Sequence, residues 1–84
     1  MITLKKVEVF AKYGGDIDAW LHDGTTDEKS IISNGDWGQI ESIIDELSLI
    51  IKKQASEKYM AEFRERVYKV VENEAVLELL SNFA

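Results

Sequence analysis

Asp16-Ile17-Asp18-Ala19-Trp20 begins as a calcium-binding loop does, with carboxylates at the first and third positions. The pattern breaks at the fifth position, Trp20, and at the sixth, Leu21, where such a loop turns on glycine. The twelfth is Asp27, not the glutamate that would grip the ion with both oxygens. His22 beside Asp23 is half of an acid–base pair, but it is the single histidine and the chain has no cysteine. Neither a multi-histidine centre nor a thiolate site can therefore be built within one chain. No serine stands in a nucleophile motif. Gly14-Gly15 lacks the trailing Gly-Lys-Ser/Thr of a phosphate loop, and Asp16 next to it would repel a phosphate. Asp16 and Asp18 as a glycosidase pair would need a substrate cleft that a small helical chain does not supply. The expectation is a protein without catalytic residues, metal or cofactor, and not an enzyme.

The same residues make better sense as a contact surface. The chain carries a formal charge of −6. Most of it lies between Tyr13 and Asp36, where Asp16, Asp18, Asp23, Asp27, Glu28 and Asp36 are opposed only by Lys29. Such a surface repels nucleic-acid backbones and attracts basic proteins. Trp20 lies within the stretch and Trp37 directly after it, and tryptophan is enriched at interface hot spots. Asp16, Asp18, Trp20, Asp23 and Trp37 are thus the candidate partner-binding residues. In this reading the carboxylates speed encounter with a basic partner and Trp20 holds the complex. An inhibitor or immunity-type antagonist of a basic enzyme fits the description, and so does an adaptor. The structural alternative is a helical homodimer with no small-molecule site, in which Trp20 packs with Ile17 and Leu21 and the acidic segment is a solvated rim.

With 84 residues, 45% of them hydrophobic and 31% charged, residues 1–84 are expected to form one small globular domain. The first residues, Met1-Ile2-Thr3-Leu4-Lys5-Lys6, lack the apolar run of a signal peptide, and no segment approaches a membrane span. A cytoplasmic protein without membrane contact is the corresponding expectation.

The elements that position these residues are most legible after Asp36. Ile40, Ile43, Ile44, Leu47, Ile50 and Ile51 follow helical spacing, opposite Glu41, Asp45, Ser48 and Lys52. Asp36 as N-cap, answered by Gln39, predicts a helix from about Trp37 to Lys53. Ser56 caps a second helix with the stripe Tyr59, Met60, Phe63, Val67, Val70 and Val71. Continuing that stripe would bury Glu74 and Glu78, so a break near Asn73 and a short last helix are expected.

The first half supports two readings. As helices, Leu4, Val7, Phe10 and Ala11 run from a Thr3 cap to Gly14, and Ile17, Trp20 and Leu21 from an Asp16 cap to Gly24. Thr25 and Glu28 have capping-box spacing for a further short helix, and Asn34-Gly35 reads as a turn. As strands, residues of about 5–22 form a β-hairpin around Gly14-Gly15-Asp16, with Tyr13 opposite Ile17 and Lys12 opposite Asp18. The fold class expected first is mainly α, a small bundle of three to five helices. The alternative is α+β, with that hairpin packed on three C-terminal helices. Leu49 lies off its helix's stripe, and Leu79 and Leu80 add apolar surface beyond one core face.

Overall fold

Six polar side chains, each accepting a backbone N–H at a helix start, divide the chain into helices. They are Thr3, Asp16, Thr25, Ser33, Ser56 and Asn73. The computed structural model describes all residues, Met1–Ala84. Its elements are α1 (Leu4–Lys12), α2 (Ile17–Asp23), α3 (Thr26–Ile31), α4 (Asn34–Lys53), α5 (Glu57–Val67) and α6 (Glu74–Ser81). The protein is a mainly α bundle with no β-hairpin at 5–22. Its six helices, including the short α2 and α3, exceed the expected three to five.

The hairpin fails for a local reason. Thr3 and Asp16 satisfy first-turn N–H groups, which stabilises a helical start on both segments. Gly14 and Gly15 both adopt left-handed backbone, with φ of 61° and 76°, and end α1 there. A side chain at Gly15 would also press within 3.2 Å of the Phe10 ring.

α4 starts three residues earlier than Trp37. Ser33, not Asp36, is the N-cap: Ser33 Oγ accepts from the Asp36 N–H and Asp36 Oδ2 accepts from the Ser33 N–H, both at 3.1 Å. This reciprocal box draws Asn34 and Gly35 into the first helical turn and leaves Gln39 without a capping role. Ser56 and Asn73 cap α5 and α6 as expected. α5 nevertheless stops at Val67, and Val71 instead forms a parallel bridge with Ile2. Ile2 donates to the Val70 carbonyl at 2.7 Å and accepts from the Glu72 N–H at 2.8 Å, tying the N-terminus to the α5–α6 connection.

One cluster forms the core: Ile2, Val7, Val9, Phe10, Trp20, Ile32, Trp37, Ile40, Ile43, Leu47, Ile50, Phe63, Val67, Val71, Val76, Leu77 and Leu80. α6 packs on both α1 and α4, so Leu80 is fully covered rather than surplus. On α1, Val7 and Phe10 are buried as expected, Val9 joins them, and Ala11 is exposed. Ile44 is half-buried. Ile51 is 60% exposed although its spacing puts it on the apolar side. Length explains this: α1 and α6, about 14 and 12 Å long, cannot cover a helix of about 30 Å. Ile51 therefore lies on the rim of an open cleft between α4, α5 and α6. Tyr59 is likewise exposed. Its hydroxyl donates to Glu46 Oε1 at 3.3 Å, on the α4–α5 seam that Arg66 also bridges at 2.6 Å.

Two substitutions test this packing by chemical denaturation. Phe63 is 2% exposed, so Phe63→Ala is expected to destabilise by about 3–5 kcal/mol, with half-buried Ile44→Ala costing less. Gly38 lies exposed inside α4, with open space where a Cβ would stand. Gly38→Ala is expected to stabilise by about 0.5–1 kcal/mol.

Candidate partner-binding surface

The fold sorts the six acidic side chains between Tyr13 and Asp36 by use. Asp36 is both a capping residue and the ion-pair partner of Lys6, at 3.0 Å. Burial pushes its carboxyl upward, but the Ser33 N–H and Lys6 outweigh this and hold it below the usual carboxylate range.

Glu28 is buried at the centre of a polar knot. Lys12 Nζ donates to it at 2.7 Å, the Tyr13 hydroxyl at 2.6 Å and the Thr25 N–H at 2.9 Å. Lys12 first, then Thr25 and Tyr13, bring its carboxyl down to about 2. The same contacts raise Lys12 and Tyr13, each chiefly through its hydrogen bond to Glu28. Lys12 thus pairs with Glu28 rather than Asp18. Thr25 completes a capping box, so one carboxylate starts α3 and clamps it to the end of α1. The spacing revealed the box; the ligands 15 and 16 residues upstream belong to the tertiary fold.

The remaining four carboxylates, Asp16, Asp18, Asp23 and Asp27, are exposed and take part in none of the ion pairs. Asp16 caps α2, accepting from the Asp18 and Ala19 N–H groups at 3.0 and 3.3 Å. The side chains of Asp18, Asp23 and Asp27 make no internal hydrogen bond. Lys29, the stretch's one cation, donates instead to the Leu21 carbonyl at 2.8 Å. His22 is exposed in the last turn of α2.

The two tryptophans lie inside. Trp20 and Trp37 are 3% and 0% exposed and stack at 5.0 Å with 23° between their planes. Phe10 packs on Trp37 at 4.8 Å. Neither indole offers its face to a partner in this fold, so the surface anchor expected at Trp20 is a core ring. The reason is complementarity: α2 is too short to bury Ile17, Trp20 and Leu21 together, and the largest of them gains most from the interior. Leu21 is left 44% exposed. Gly24 closes the helix against the buried ring, since a Cβ there would stand 2.4 Å from the Trp20 carbonyl oxygen and 3.0 Å from its Cδ1. The structure therefore brings Asp16, Asp18 and Asp23 to the surface of α2 and its cap, and places Trp20 and Trp37 beneath them as support.

No helix is long and apolar enough to cross a membrane. No family model, curated protein or solved structure matches the chain.

The Glu28 knot has a defined acid signature. Its carboxyl is depressed in the fold, so its stabilisation is complete above the ordinary value of 4.5 and is lost as pH falls towards about 2. Glu28→Gln is expected to lower the urea midpoint at pH 7. The gap to the parent protein should close through that acid window, because a protonated Glu28 resembles glutamine.

Proposed function

We propose that this protein is a small acidic protein-interaction module that engages a basic partner through the carboxylates of α2 and α3. The observation that carries the reading is the set Asp18, Asp23 and Asp27, which are exposed, pair with no cation and serve no internal hydrogen bond. Asp16 joins them at the α2 cap. Carboxylates that serve no internal purpose keep their full attraction for an incoming cationic surface. The buried Trp20–Trp37 stack contributes rigidity rather than contact area, so α2 meets its partner pre-formed. In mechanism, charge accelerates encounter and the fixed helix presents the carboxylates without an ordering cost. Antagonism of a basic enzyme and adaptor function both use such a surface. The expected contact is with protein rather than nucleic acid, whose phosphates the segment repels.

Asp16→Asn/Asp18→Asn/Asp23→Asn tests the reading on a partner captured from native extract. Its stability is expected to stay within about 1 kcal/mol of the parent, since asparagine caps nearly as well as aspartate. Association should slow by an order of magnitude or more at low salt, and the difference should shrink as salt screens the parent. Parent-like association rates with every captured partner would refute the surface. By contrast, Trp20→Ala should unfold or strongly destabilise the protein, by about 3–5 kcal/mol, whatever its partner.

A further inference from the structure

The far end of α4 carries a second surface, away from the aspartates of α2. Leu49 is 53% exposed and lies off the buried stripe of α4 formed by Ile40, Ile43, Leu47 and Ile50. Beside it opens a cleft of about 370 Å³ lined by Leu49, Ile50, Lys53, Ala55, Ser56 and Tyr59. Tyr59 is 45% exposed at its wall. The monomer leaves more than half of this apolar side chain uncovered, beside an open cleft.

The charges around Leu49 name its partner. Asp45 stands one turn before it and Lys53 one turn after, and both are exposed. Neither is in any of the three ion pairs of the fold. They are about 12 Å apart along the helix axis, too far to meet within one chain. A two-fold axis through Leu49 changes that. It runs a second α4 antiparallel to the first, sets Leu49 on Leu49 between the two Tyr59 rings, and opposes Asp45 to Lys53 twice. A parallel arrangement would oppose like charges. The patch is thus complementary to itself, which is the requirement for an isologous contact.

We infer that the protein forms an antiparallel homodimer through the C-terminal end of α4, with Leu49 at the centre and reciprocal Asp45–Lys53 pairs at the rim. The overlap spans little more than two helical turns and falls below the standard interface size, so the dimer is a weak one, with Kd on the order of 10–100 μM.

Sedimentation equilibrium of the full chain from about 10 μM to about 1 mM brackets that range. The average mass should climb from 9.6 kDa towards twice that value. Leu49→Arg should weaken association at least tenfold with an unchanged melting temperature, because the side chain lies outside the core. Asp45→Lys and Lys53→Asp should each weaken it, and Asp45→Lys/Lys53→Asp together should restore it to within a few-fold of the parent. A monomer throughout would overturn the inference, as would indifference to Leu49→Arg or failure of the double reversal to recover association. The triple asparagine variant in α2 should dimerise normally, which separates this contact from the acidic surface.

Discussion

A continuous run of aromatic rings sets the arrangement of everything else. Phe83 meets Phe10 edge to face at 5.4 Å, Phe10 meets Trp37 at 4.8 Å, and Trp37 stacks on Trp20 at 5.0 Å. One ring comes from the chain's end, one from α1, one from α4 and one from α2. Short helices such as α2 and α3 are unstable in isolation and persist only through tertiary packing. The ring series supplies that packing for α2, and Glu28, reaching Lys12 and Tyr13, supplies the corresponding tie for α3.

The acidic segment consequently has two populations of carboxylate with different physics. Glu28 and Asp36 are enclosed, bonded to N–H groups and cations, and shifted down. They fix where the helices start and how they meet. Asp18, Asp23 and Asp27 are solvated and free of such duties. A composition-level account sees six similar charges; the fold shows that only some have any field to spare for another molecule. This division narrows the proposed surface to residues whose neutralisation leaves the framework intact.

Much of the helical framework was legible because capping is local. Thr3, Asp16, Thr25 with Glu28, Ser56 and Asn73 each act within three residues, and each lies where the pattern places it. The α4 start differs from the spacing because Ser33 and Asp36 are both competent caps, and spacing alone does not show that they bond to each other. Errors further along α4 and α5 have a different cause. Ile51 and Tyr59 fit their stripes, but burial depends on what lies opposite: α1 and α6 are too short to cover Ile51, and Tyr59 faces the open cleft at the α4–α5 seam. Leu80 erred in the other direction, since α6 is covered from two sides. The tryptophans show the limit for the candidate site: composition marks them equally as anchors or core, and only packing distinguishes the two. The Lys12–Glu28 pair and the Ile2–Val71 bridge join positions with no shared periodicity, so no local pattern announces them.

Tryptophan at positions 20 and 37 is itself informative. Neither indole Nε1–H meets an acceptor, although both are buried. An unsatisfied buried donor costs about 1–3 kcal/mol. Large aromatic side chains bury about 150–250 Å², so an indole gains at most about 100 Å² over a phenyl ring, or about 2.5 kcal/mol. The two effects nearly cancel, and transfer free energy alone does not favour tryptophan over phenylalanine. Shape does. The longer ring lets α2 reach the Trp37 ring of α4, centroid to centroid at 5.0 Å, while Gly24, without a side chain, lies along the indole edge. The stack therefore sets the distance and orientation of α2 on the bundle, and through them the positions from which Asp16, Asp18 and Asp23 project.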